Sequence, residues 1–130
     1  MREILFRGKR KDNGEWVEGF YAYCPKLSHR HFIVSFNSFG SILWFEVVPE
    51  TVGQLVSGIP DKNGKKIFEG DVVQYFGTYP LEVFIENGHA KVRFYDTYSK
   101  RQYEELFFGH DEEYVKCEVI GNIHDNPELV

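Results

Sequence analysis

Asn-Gly occurs three times in this chain, as Asp12-Asn13-Gly14-Glu15, Lys62-Asn63-Gly64-Lys65 and Glu86-Asn87-Gly88-His89. The dipeptide favours a two-residue hairpin turn, because both central residues take positive φ, which Asn tolerates and Gly adopts freely. Each copy is flanked by apolar residues at period two. Ile4 and Phe6 precede the first; Trp16 with Phe20, and Val17 with Tyr21, follow it on opposite faces. After the third, Val92 and Phe94 alternate with Lys91, Arg93 and Tyr95, and near the end Val115, Cys117 and Val119 alternate with Lys116 and Glu118. Such alternation marks half-buried antiparallel strands. Helical spacing with a cap at its head is missing, and single turns near Pro49 to Val52 and Asn126 to Leu129 are the only helical candidates. The expected fold is therefore all-β, with antiparallel strands in a small barrel or sandwich. It is read as one domain over 1–130, or as two small β modules sharing a core with a seam at Val56 to Asp61. No internal repeat is evident.

Composition removes the other classes. Of 130 residues, 42% are hydrophobic and 27% charged, which suits a globular chain and excludes disorder, collagen and coiled coil. The longest apolar stretch, Ile42 to Val48, contains Glu46 and is far too short to cross a bilayer. Met1-Arg2-Glu3 leads straight into alternation, so no signal peptide is expected. Two cysteines, Cys24 and Cys117, make no disulfide framework and are expected as buried thiols of a cytoplasmic protein.

Charge is uneven. Residues 1–103 carry 14 Lys and Arg against 12 Asp and Glu, whereas 104–130 carry Lys116 alone against eight acids, which together give the net −5. A net acidic chain is not drawn to phosphate by its overall field, so nucleic-acid binding needs a local basic patch. Arg7-Gly8-Lys9-Arg10-Lys11 is one candidate. Lys91, Arg93, Lys100 and Arg101 form the other.

One run of residues is distinctive. Gly58-Ile59-Pro60-Asp61-Lys62-Asn63-Gly64-Lys65-Lys66-Ile67-Phe68-Glu69-Gly70-Asp71-Val72-Val73 resembles the central motif of the YopX-like family: a glycine, Asp-x-x-Gly, a hydrophobic pair, then Glu-Gly-Asp and two aliphatics. Val119-Ile120-Gly121-Asn122-Ile123-His124-Asp125-Asn126-Pro127-Glu128-Leu129 is similar to its closing motif, and Arg2-Glu3-Ile4-Leu5-Phe6-Arg7-Gly8 to its first strand. Pro60 departs from the pattern and stiffens the turn. The resemblance spans essentially the whole chain. It implies an all-β fold with an SH3-like barrel element and an origin in bacteriophages and prophages of Gram-positive bacteria, but no activity.

The motif residues have a structural explanation. Asp61 bonds amides ahead of it and starts a turn that Asn63-Gly64 closes. Gly70 allows a tight bend where the strand of Asp71, Val72 and Val73 begins, and Gly121-Asn122 interrupts the last strand before Pro127. The chemical alternative brings Asp61, Glu69 and Asp71 together on a metal or proton-transfer site, with Glu69 and Asp71 sharing a strand face. The calcium-loop pattern fails, because Lys66 and Val72 occupy its glycine and glutamate places. His29 and His31 are two apart but lack further ligands for zinc, so a hydrogen-bonded surface role is expected. His124-Asp125 has no nucleophile tied to it. No cofactor motif is present, and no enzyme is expected.

The surface that suits binding is Lys91, Arg93 and Tyr95 on one strand, with Tyr98, Lys100, Arg101 and Tyr103 in the loop beyond. Basic groups interleaved with rings suit single-stranded nucleic acid, which needs phosphate neutralisation and base stacking. Tyrosine and arginine equally suit a protein partner, and an exposed strand edge is a place where a partner strand or second copy joins. The leading reading is a phage or prophage accessory protein whose β-barrel module binds a host or phage protein. The alternative is the nucleic-acid module built on that patch, and the third is a metal-assisted hydrolase on Asp61, Glu69 and Asp71.

Overall fold

The computed structural model describes residues 4–26, 28–56, 60–75, 79–96, 98–107 and 117–130. Ten strands and two single 3-10 turns make up their regular structure, so the all-β expectation holds. The 3-10 turns, Pro49–Thr51 and Pro127–Leu129, fall where helical turns were expected. The chain divides into two compact units, Met1–Leu55 and Val56–Val130.

The first unit contains β1 (Phe6–Lys9), β2 (Trp16–Cys24), β3 (Arg30–Phe36), β4 (Ile42–Glu46) and β5 (Gly53–Gln54), all antiparallel in the order β4-β3-β2-β1-β5. β2 serves two neighbours: Trp16 to Gly19 pair with β1, and Phe20 to Cys24 with β3. Gly19 sits at the handover, where an added Cβ would lie 2.2 Å from the Val34 carbonyl oxygen. A bare Cα is what lets β2 turn from one partner to the next there. Ile33, Val47 and Leu55 are buried. The Thr51 hydroxyl accepts the Lys9 amide at 2.9 Å and donates to the Val48 carbonyl at 2.6 Å, tying the 3-10 turn to β1. The Lys11 amide bonds the Glu46 carbonyl and the Val48 amide the Lys9 carbonyl, joining the end of β1 to the end of β4.

The second unit contains β6 (Asp71–Gln74), β7 (Leu81–Glu86), β8 (His89–Asp96), β9 (Arg101–Leu106) and β10 (Glu118–Asn122), in the order β10-β6-β7-β8-β9. Its core is Val56, Ile67, Val73, Val83, Val92, Phe107 and Cys117, with Tyr75, Leu81, Ile85, Ala90 and Val119 packed against them. The last pairing of β10 slips between Val119 and Gly121, the interruption expected at this glycine. Both units thus follow one plan: four strands in sequence order, and a fifth returning to lie beside the first. This repeat is invisible in the residues, because strand order needs only alternation and turn placement, not matching side chains.

The three Asn-Gly turns differ. Asn87 and Gly88 both take positive φ (53° and 79°) and form the expected two-residue hairpin between β7 and β8. At the other two only the glycine does, Gly14 at 73° and Gly64 at 81°, and the loops are longer. A side-chain acceptor accounts for each: Asn13 Oδ1 takes the Glu15 amide, and Asp61 Oδ1 takes the amides of Asn63 and Lys65.

Candidate functional site

Parity along β7, β8 and β9 decides which side chains meet. Cross-strand partners share a face and neighbours in sequence do not. Glu82, Arg93 and Glu104 are aligned across the three strands, as are Phe84, Lys91 and Leu106. On this face Arg93 bonds Glu82 at 2.9 Å and lies 4.0 Å from the Phe84 ring centre, while Lys91 pairs with Glu86 at 3.5 Å. The Arg93 guanidinium is held above its ordinary range by that Glu82 bond. Tyr95 stands opposite Gln102 in the ladder.

Phe94 pairs with Tyr103, and Asp96 with Arg101, on the opposite face. The expected patch is therefore split: Lys91 and Arg93 lie on one side of the sheet, Arg101 and Tyr103 on the other. Two further rings, Tyr79 and Phe94, complete the second side. Tyr79 and Phe94 stack at 5.7 Å with 7° between planes, and Phe94 and Tyr103 at 5.2 Å with 19°. Phe94 was legible as the partner of Tyr103 only once the hairpin register was known. Tyr98, 98% exposed, and Lys100, at a φ of 58°, stand in the turn between β8 and β9. Asp96 organises that turn by accepting the Tyr98 amide at 2.9 Å; this bond, with one from the Ser99 side chain, holds its carboxyl below the ordinary range.

The central motif forms a frame of backbone bonds. Asp61, 4% exposed, accepts the Asn63 amide at 2.9 Å and the Lys65 amide at 2.8 Å on Oδ1, and the Val119 amide at 2.9 Å on Oδ2. Burial alone would raise its carboxyl, but these three amides outweigh burial and hold it low. Asp71 Oδ2 accepts the Phe68 amide at 2.8 Å. The Asp71 amide bonds back to the Phe68 carbonyl, and Gly70 takes a φ of 93° inside that turn. Glu69 therefore lies in the turn that precedes β6, as the bend expected at Gly70 implies, and not on the strand face with Asp71 that the chemical alternative required. Asn122 Oδ1 caps the amides of His124 and Asp125, and Pro127 opens the final 3-10 turn. Among the described residues, no three His, Cys, Asp or Glu side chains are grouped to hold a metal ion.

The remaining expectations resolve individually. His29 and His31 Nδ1 each bond a tyrosine hydroxyl at 2.6 Å, from Tyr23 and Tyr21. In the Arg7 to Lys11 cluster, Arg7 is buried with its guanidinium 4.6 Å from the Trp16 ring centre, Arg10 binds Asp12, and Lys11 pairs with Glu46. Cys24 is half-buried, not buried as expected, because it closes β2 opposite the exposed Arg30. Val115, Lys116, Gly58, Ile59, Arg2 and Glu3 lie outside the described residues.

Cys117 is fully buried, and burial first, then the Asp61 charge, pushes its thiol up to about 11 from 9.0. An unfolded chain releases this proton first, so stability is complete below about pH 9 and falls as pH rises toward 11, by about 1.4 kcal/mol per unit. Urea midpoints across that range are expected to drop for the native chain and to drop less for Cys117→Ala; parallel curves would contradict the assignment.

The first unit presents a different surface. Phe20, Val34 and Trp44 are aligned across β2, β3 and β4, and Phe36 and Ile42 are directly paired on the same face. Phe20, Trp44, Phe36 and Ile42 are each more than half exposed, and Phe39 in the following turn is 92% exposed. Among the described residues, no helix is long and apolar enough to cross a membrane. Sequence comparison with curated proteins gives no match. The model of one family, described as YopX protein, matches residues 5–130. With that match over nearly the whole length, the chain belongs to the YopX family.

Proposed function

We propose that this protein is a non-enzymatic accessory module of phage or prophage origin, acting in the host cytoplasm, that binds a host or phage protein through β4. One observation carries the reading: β4 is an uncharged, exposed edge over Ile42-Leu43-Trp44-Phe45. The Val47 amide bonds the His31 carbonyl and the Asn37 amide the Ser41 carbonyl, which sets the phase of the β3–β4 ladder. By alternation, Phe45 and Leu43 exchange bonds with β3, and Trp44 and Ile42 turn their N–H and C=O groups outward. No main-chain bond from a described residue meets them there. Edge strands in soluble proteins are ordinarily blunted by lysine, proline or a bulge, and this one is not. An extended apolar segment of the partner would add to β4 and pack alternate side chains against Ile42 and Trp44. The fifth strand beside the first, preceded by the Pro49–Thr51 turn, supports an SH3-like barrel in this unit. The bonds that Asp61 and Asp71 accept from backbone amides support structural duty over catalysis.

The test compares native and Trp44→Lys protein as baits in nuclease-treated host lysate. A protein retained by the native bait is expected to be lost by at least about tenfold from the variant, since removing a central interface tryptophan costs about 2 kcal/mol or more. Trp44 is exposed, so the variant's circular dichroism should match the native spectrum. Equal retention by both baits, or none by either, would overturn the reading.

A further inference from the structure

We infer that the second unit carries a separate site, for a short stretch of single-stranded nucleic acid, on the Tyr79–Phe94–Tyr103 side of the β8–β9 hairpin. Three near-parallel rings form a continuous stack whose outer members are exposed to solvent, Tyr79 at 70% and Tyr103 at 40%. A nucleobase offers a flat π-face that extends such a stack, whatever the base. Phe94, on the inner of the two hairpin strands, holds the outer rings in place.

Charge separates this ligand from an apolar one. Lys100, in the turn, and Arg101, on the face of the stack, are exposed, and neither is within ion-pair distance of an acid among the described residues. Lys91 and Arg93 across the sheet are engaged by Glu86 and Glu82. Arg101 shares a face with Tyr103, two residues along β9, so a phosphate bonded there belongs to the nucleotide whose base reaches Tyr103. Asp96 stands opposite Arg101, but its carboxylate is turned to the Tyr98 amide. Glu105, also exposed and on this face, limits the site to few phosphates. Two contacts predict weak binding with a log–log salt slope of about −1.4. A protein docking on the same rings would show little salt dependence.

The site is independent of β4, and the experiment keeps them apart. Fluorescence anisotropy of labelled oligo-dT and oligo-rU of about twelve nucleotides is measured between about 50 and 200 mM salt, the range over which phosphate contacts weaken. Native protein and Trp44→Lys should bind alike, with the slope above, and the two oligomers distinguish DNA from RNA as the ligand. Tyr79→Ala should weaken binding roughly tenfold by removing one stacking ring. Lys100→Ala with Arg101→Ala should bring the salt slope close to zero, and Lys91→Ala should leave binding within about twofold. All four side chains are at the surface or in surface ion pairs, so the fold tolerates these changes. No saturable binding at low salt, or equal loss from Lys91→Ala and from the Lys100 and Arg101 pair, would overturn the inference.

Discussion

Asp61→Ala is expected to lower the stability of the Val56–Val130 unit by about 2–3 kcal/mol, because three part-buried amides lose their side-chain acceptor at once. Each buried donor left unsatisfied costs about 1–3 kcal/mol. A unit of this length has about 4–11 kcal/mol in total, so the loss is a large share. The affected amides are Asn63, Lys65 and Val119, which lie in a loop and a strand far apart in the chain. Hydrogen exchange at those three should accelerate together, and the urea midpoint should fall. Asp61→Asn keeps one carbonyl oxygen for Asn63 and Lys65 but turns an amide group toward Val119, so about half the loss is expected. Acid separates the variants further. The native carboxyl is held low by amides that outweigh burial, so its contribution is present above about pH 3.8 and lost as pH falls through the lower folded value. Both variants should lack that part of the acid transition. Unchanged exchange at Val119 in Asp61→Ala would show that the carboxylate does not hold the strand.

Gly19→Ala should be the most damaging single methyl in the first unit. The new Cβ would lie 2.2 Å from the Val34 carbonyl oxygen and 2.9 Å from its carbon, both backbone atoms that cannot swing aside. Relief requires β2 and β3 to separate where β2 passes from one partner to the other, and about 3 kcal/mol or more is expected, the upper range for overpacking. Gly40→Ala is the comparison: nothing lies within 4 Å of its Cβ, and only its φ of 80° resists, at about 1 kcal/mol. Trp16 and Trp44, the two tryptophans of the chain, both belong to this unit, so tryptophan fluorescence reads its unfolding directly. Equal midpoints for the two variants would mean that the close approach at Gly19 does not limit the fold.

What was legible followed from local chemistry. Alternation in Val92, Phe94 and their neighbours identified strands, Asn87-Gly88 identified a hairpin, and Asp61 announced its own turn, since each signal is complete within a few residues. Face assignment was not, because Arg93 and Tyr103 are separated by a turn whose length sets the parity of β9 against β8. One residue more in that turn would have put Tyr103 beside Arg93. The chemical alternative for Glu69 and Asp71 fails for a similar reason: spacing of two implies a shared face only on a strand, and Gly70 makes a turn of theirs. Tyr79 reaches Phe94 through tertiary packing between β7's approach and β8, which alternation cannot express. In sequence, Ile42 to Val48 is simply an apolar stretch, and only the ladder's phase shows which main-chain groups of Ile42 to Phe45 look outward.

The shared strand plan has a consequence for synthesis. In each unit the last strand made pairs with the first, Gln54 opposite Phe6 and Asn122 opposite Asp71, so the costliest loop closure comes at the end. On the ribosome, the first unit can complete its ladder once Gln54 has left the exit tunnel. The second must hold β6 with one side unpaired, Val72 and Val73 included, until β10 is translated. That interval is when a slowed ribosome, or a chaperone that shields apolar strands, would decide the yield of native protein.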